Sequence, residues 1–113
     1  MNNVIKKAGL KELALYVLGR RTAFLIEGES MLPTLTDGDR VLVANHVNIE
    51  VGDIVLAKHP YKMSVKIVKR ISSVDDDGRL TLIGDNPDTS TDSRAFGTVS
   101  LESVVGKVTS KLR

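Results

Sequence analysis

The sequence contains no cysteine. That removes disulfide scaffolds, thiolate metal sites and a cysteine nucleophile in one step, and leaves Ser, Thr, Lys, Asp and Glu as covalent candidates. Histidine is nearly as scarce. His46 and His59 fall in segments that read as loop or strand end, with no His or carboxylate at the spacing of a zinc-binding helix. Both are expected to be ordinary surface residues, no metal or other cofactor is implied, and a Ser-His-Asp triad is the weaker alternative. Long apolar runs are missing as well. The best one, Leu13 to Leu18, falls far short of the roughly 18 to 20 residues that a bilayer crossing needs. Lys11 and Glu12 break the stretch that a secretory signal would require, so no transmembrane span and a cytoplasmic location are expected. Charge of one sign is not concentrated either. The 16 Lys and Arg residues nearly balance 14 Asp and Glu, the formal net charge is +2, and the signs are interspersed, which argues against nucleic acid as a partner.

The 113 residues allow one domain with one sizeable core, residues 1–113. Leu10, Leu13, Ala14, Val17 and Leu18 recur at helical spacing and predict an amphipathic helix over about residues 7–18, with Gly19 as its stop. The helix is expected to cap the domain's core through this stripe, with Lys6, Lys7 and Lys11 outside. The alternative is a basic amphipathic helix in contact with a membrane surface. From about residue 22 to residue 110 the texture changes to short β-rich runs: Thr22 to Ile26, Arg40 to Ala44, Asp53 to Lys58, Ser64 to Val74, Arg79 to Ile83 and Val104 to Thr109. Asp77-Gly78 reads as a hairpin turn, and Asp37-Gly38-Asp39 and Val51-Gly52-Asp53 each precede a strand. The expected fold is mostly β, a compact antiparallel barrel or sandwich with a short leading helix.

Strand periodicity separates two lysines of the run from Ser64. Val65, Ile67, Lys69 and Ile71 share one face, whereas Lys66 points with Ser64, Arg70 and Ser72. Lys69 is thus the lysine in apolar company, and burial lowers a lysine's pKa because the charged form loses its hydration. A lysine brought from about 10.4 to about 7 to 8 can act as a base, a shift that corresponds to roughly 3 to 5 kcal/mol. Ser30 follows Gly28-Glu29 and precedes Met31-Leu32-Pro33, where proline biases the preceding residue away from helix. An extended or turning segment of this kind leaves the hydroxyl accessible, and a serine hydroxyl needs a neighbouring base to become a nucleophile.

The ordered set Ser30-Met31-Leu32-Pro33-Thr34-Leu35, Gly52-Asp53-Ile54-Val55, Lys69-Arg70 and Gly84-Asp85-Asn86 through Asp92-Ser93-Arg94 resembles bacterial signal peptidase I and its relatives over nearly all of Ile26 to Val99. That resemblance implies a serine endopeptidase with a Ser/Lys dyad that removes a leader peptide from a precursor protein. Ser30 matches the nucleophile and Lys69 the general base. Ser90 matches the residue that orients the lysine amine, and Asp92 and Arg94 match a structural ion pair near the site. Where some relatives carry a hydroxyl residue this chain has Gly28, so an oxyanion hole relies on backbone N–H groups, Ser30's own among them. Glu29 is expected to face solvent or substrate. Met31 is expected to form a flexible apolar wall beside the substrate, with core packing as its other reading. Within the family, the wording of the last segment most resembles the nickel-type superoxide dismutase maturation proteases, which implies a nickel superoxide dismutase precursor as substrate.

General preprotein processing is one competing reading. Another is a LexA-like regulator that cuts its own chain at Ala8-Gly9, and a third is a peptide-binding module of the same fold without turnover. Extended substrate is expected to bind as an added strand along an exposed sheet edge.

Overall fold

A computed structural model describes residues 5–45, 47–88 and 91–112. The elements, in chain order, are α1 (Leu10–Val17), β1 (Thr22–Leu25), β2 (Arg40–Asn45), β3 (Ile54–Lys58), β4 (Lys66–Val74), β5 (Leu80–Ile83), α2 (Ser93–Phe96) and β6 (Val104–Lys111). The β content, the leading helix and all six strands agree with the sequence pattern. The strands form one antiparallel sheet in the order β1-β2-β6-β3-β4-β5, so β6 returns to the middle of the sheet between β2 and β3. Asp77-Gly78 does close the β4–β5 hairpin. The Asp75 carboxylate accepts the N–H groups of Asp77 and Arg79, and Gly78 takes a φ of 80° that a Cβ would oppose.

Apolar side chains cover both faces of the sheet's centre. Ile54 and Leu56 of β3 join a cluster with Ile26, Met31, Leu35, Val41, Val43, Val68 and Val108. Val55 and Ala57, which alternate with them, join a second cluster with Ile71, Leu80, Leu82, Phe96 and Val99. This is why β3 reads as an unbroken apolar run instead of an alternating one. Register shifts interrupt β2–β6 between Leu42 and Val43, β3–β6 between Leu56 and Ala57, and β4–β5 between Ile71 and Ser73. Such bulges bend strands and add twist. The sheet curls far enough to bring β1 and β4, with three strands between them in the order, to the walls of one cleft.

One expectation about the fold is overturned. The helix is shorter than residues 7–18, and its apolar stripe does not cap the core. Leu10, Val17 and Leu18 are 88%, 83% and 74% exposed, and no residue of α1 is fully buried. The inward face carries Glu12 and Leu15 instead. The Glu12 carboxylate accepts hydrogen bonds from the hydroxyls of Thr109 and Ser110 and pairs with Arg21 at 3.1 Å. Burial raises the Glu12 pKa, but the hydrogen bonds from Thr109, Arg21 and Ser110, with the charge of Arg21, outweigh it and hold the group below its ordinary value. A polar anchor, not the apolar stripe, determines which side of α1 meets the sheet.

Candidate active site

The cleft has a volume of about 310 Å³. One wall is the end of β1 and the loop that follows, Phe24 through Met31, and the other is Lys66, Ile67, Val68 and Lys69 of β4, with His59 and Thr91 at the margin. Ser30 and Lys69, nearly forty positions apart in the sequence, therefore line the same cavity.

Ser30 sits on a turning segment between β1 and β2, as the proline-bearing sequence implies. Two interactions hold this loop from below. Leu35 N–H donates to the Met31 carbonyl at 2.9 Å, and the Met31 and Leu35 side chains are buried in the first core cluster. Met31 is thus a core residue that also reaches the cleft as part of its wall. The loop is also gripped from the segment after β5. Asn86 N–H donates to the Ser30 carbonyl at 2.8 Å, and the Asn86 side-chain amide donates to the Glu29 carbonyl at 3.0 Å. Gly28 has a φ of 84°, a conformation that a serine or threonine would adopt only with strain, and its N–H donates to the Asp37 carboxylate at 2.7 Å. The Gly28 N–H is therefore engaged elsewhere and does not point at an oxyanion. Glu29 is exposed at the rim, as expected.

Lys69 is 4% exposed. It precedes the bulge in β4, so the alternation read from the sequence holds. On its face Ile71 belongs to the second core cluster and the partly buried Ile67 packs against that cluster, while Lys66 is exposed. Burial pushes the Lys69 pKa below its ordinary value and Arg94 adds to the effect, while the negative charge of Asp92 opposes it. Asp92 is fully buried. Its carboxylate accepts from the Arg94 guanidinium at 2.9 and 2.6 Å, from the Gly84 N–H at 2.8 Å and from the Arg94 N–H at 3.1 Å, the last of these capping α2. Asp92 and Arg94 thus make an ion pair beside the lysine. Ser90, the expected orienting residue, lies outside the described residues, as does His46.

Two features escaped the sequence reading. One is a polar network in which Arg70, next to Lys69 but on the opposite face of β4, donates to the Asp85 carboxylate at 2.9 and 2.7 Å and to the Gly52 carbonyl at 2.7 Å. The Thr34 hydroxyl completes the network on Asp85. Burial raises the Asp85 pKa, but the hydrogen bonds from Arg70 and Thr34 and the charge of Arg70 prevail and lower it. The nucleophile loop, β4 and the turn after β5 are tied together at this carboxylate. The other is His59, which is not an ordinary surface residue. It is half-buried at the cleft, packs edge-on against Phe96 with ring centroids 5.1 Å apart, and accepts the Tyr61 N–H at Nδ1. With Nδ1 accepting, a neutral ring carries its proton on Nε2 and is a donor there, not a base. The Ala8-Gly9 bond is not part of the cleft. Ala8 N–H is bonded to the Lys111 carbonyl at the start of α1, which leaves self-cleavage at that bond without a geometric basis.

A curled antiparallel sheet that presents a loop serine and a dehydrated lysine to one peptide-sized cleft has the groups that a serine–lysine hydrolase requires. The chain belongs to the Peptidase S24-like family, whose sequence profile matches residues 10–109. It is 34% identical to mitochondrial inner membrane protease subunit 1 of Xenopus tropicalis, covering 74% of this chain and 64% of that protein. It is 32% identical to mitochondrial ATP-independent inner membrane protease subunit 1a of Arabidopsis thaliana, covering 73% and 64%. Signal peptidase I of Streptococcus pneumoniae is 39% identical over 61% of this chain and 36% of its own length. The chain spans at most about two thirds of these relatives (64%, 64% and 36%). The likeness to signal peptidase I read from the motifs holds at the level of family.

Proposed function

We propose that this chain is a serine endopeptidase that removes an N-terminal leader from a precursor protein, with Ser30 as nucleophile and Lys69 as general base. The observation that carries the reading is the burial of Lys69 in the wall of the cleft that Ser30 lines. In the mechanism, the neutral Lys69 amine takes the Ser30 Oγ proton as the oxygen attacks the scissile carbonyl carbon. The resulting ammonium returns that proton to the departing amine as the C–N bond breaks. Water then attacks the acyl-enzyme with Lys69 again as base, releasing the acid and restoring Ser30. Backbone N–H groups of the nucleophile loop, Ser30's own among them, stabilise the oxyanion.

Substrate enters as an extended strand. Among the described residues β1 pairs only with β2, and β5 pairs with β4 only from Arg70 onward, so the cleft-facing edges of β1 and of Lys66 to Lys69 keep backbone groups for a peptide. Phe24, Ile26, Met31 and Val68 provide apolar side-chain contacts, and Asp92 and Arg94 hold the wall behind Lys69.

The particular substrate we propose is a nickel superoxide dismutase precursor, supported by the resemblance of Asp85-Asn86-Pro87 through Asp92-Ser93-Arg94 to that maturation branch. The relatives named inner membrane protease and signal peptidase support leader removal in general and give the second reading, broader preprotein processing. The test offers the dismutase precursor and an Ala-x-Ala signal peptide to wild type and to Lys69→Met, with product masses locating the cut. Lysine-dependent removal of the dismutase leader alone is expected. Cutting of the signal peptide alone overturns the substrate, and full activity in Lys69→Met overturns the mechanism.

A further inference from the structure

Helix α1 is docked with its polarity reversed. Leu10, Leu13, Ala14 and Val17 recur at i, i+3, i+4 and i+7 and so share one face, opposite Glu12 and Leu15. In a helix that served only its own domain, the first set would be inside. Here it is outside, and Leu18 extends the apolar surface past the helix end. Exposed cations surround it: Lys6, Lys7 and Lys11 on the entering side and Arg20 after the last turn. Glu12 is the only acid between residues 5 and 26, and it is turned inward onto Arg21, Thr109 and Ser110, so this face presents no negative charge of its own.

We infer that α1 is a docking element for the surface of a lipid bilayer containing anionic headgroups, and this does not rest on the peptidase reading. An eight-residue helix is about 12 Å long and cannot cross a hydrocarbon core of about 30 Å, but it can lie in the plane of the interface with its apolar face down and its cations at the level of the headgroups. No helix among the described residues is long and apolar enough to cross a membrane. Charge decides between this occupant and a second copy of the chain. Two copies joined through α1 would set the same basic rim against itself, whereas an anionic surface is attracted by every one of those cations, each contributing roughly fivefold in partitioning. The Glu12 anchor fixes the orientation, because it pins the opposite side of the helix to β6 and to Arg21.

The test is co-sedimentation of the full chain with vesicles of phosphatidylcholine alone and with vesicles containing phosphatidylglycerol. The wild type is expected to sediment with the anionic vesicles only, and less as salt is raised. Two variants change only exposed side chains. Leu10→Ser with Val17→Ser removes the apolar contact, and Lys6→Gln with Lys7→Gln and Lys11→Gln removes the attraction. Each is expected to lower partitioning at least tenfold at an unchanged thermal midpoint. Failure of the wild type to bind anionic vesicles overturns the inference, as does retained binding in the serine variant. A wild-type dimer that the serine variant dissociates assigns the face to a second copy and overturns it equally.

Discussion

Lys66 and Lys69 test whether burial or mere presence makes a lysine a base. Both line the cleft, yet only Lys69 is enclosed, and loss of hydration lowers its pKa. Lys69→Met and Ser30→Ala are each expected to lower kcat by at least three orders of magnitude with the fold retained, and Lys66→Met to stay within about threefold of wild type in kcat/KM on a leader peptide. Because the neutral amine is the active form, kcat/KM should rise with pH to a plateau, with its midpoint below the pKa of an ordinary lysine. Replacing Arg94 removes a positive charge that helps depress Lys69 and frees Asp92 to favour the ammonium. The Arg94→Gln midpoint should therefore move to higher pH, and a shift to lower pH would contradict this electrostatic account. At this scale the sequence was informative, because which way Lys69 faces is a local property of a period-two strand. What Asp92 does was not local. Its partner Arg94 is only two positions away, but its bond to Gly84 and its place beside Lys69 depend on how the chain folds back after β5.

Among the elements, the loop that carries Ser30 owes its position to the segment after β5. Asn86 holds the Glu29 carbonyl with its side chain and the Ser30 carbonyl with its backbone. Asn86→Ala keeps the second of these and deletes the first, a hydrogen bond of roughly 1 kcal/mol, together with the turn bond that Asn86 Oδ1 accepts from the Asp88 N–H. The expected result is a fall in kcat of about three- to tenfold with little change in KM, and a thermal midpoint close to wild type. A change in KM alone would assign Asn86 to substrate contact instead. The sequence could mark Asp85-Asn86 as a turn but not name its partners, since the contacts to Glu29, Ser30, Thr34 and Arg70 span 15 to 57 positions. The direction of α1 failed for a related reason. Periodicity establishes that a helix has two faces, and the side that docks was determined by Thr109 and Ser110 near the far end of the chain.

For the whole molecule, the shifted groups set opposite pH limbs of stability. Asp85 and Glu12 are held below their ordinary values of 3.8 and 4.5. In that acid range the unfolded chain binds protons before the folded one does. The stabilisation they provide is therefore complete above those values and is lost as pH falls through the lower folded values. Lys69 acts at the other end. Its folded pKa lies below the 10.5 of the unfolded side chain, so between the two the unfolded chain again holds the extra proton, and stability rises with pH across that window. Asp85→Asn removes one acid term and leaves Arg70 without its carboxylate, at a cost of about 2 kcal/mol near neutral pH. Lys69→Met removes the alkaline term alone. Urea unfolding from acid to alkaline pH should therefore show a weakened acid limb in Asp85→Asn, and in Lys69→Met a normal acid limb with the alkaline rise gone. If the rise persisted in Lys69→Met, the proton released on folding would come from another group, and the claim that this domain keeps a dehydrated amine beside its serine would lose its thermodynamic support.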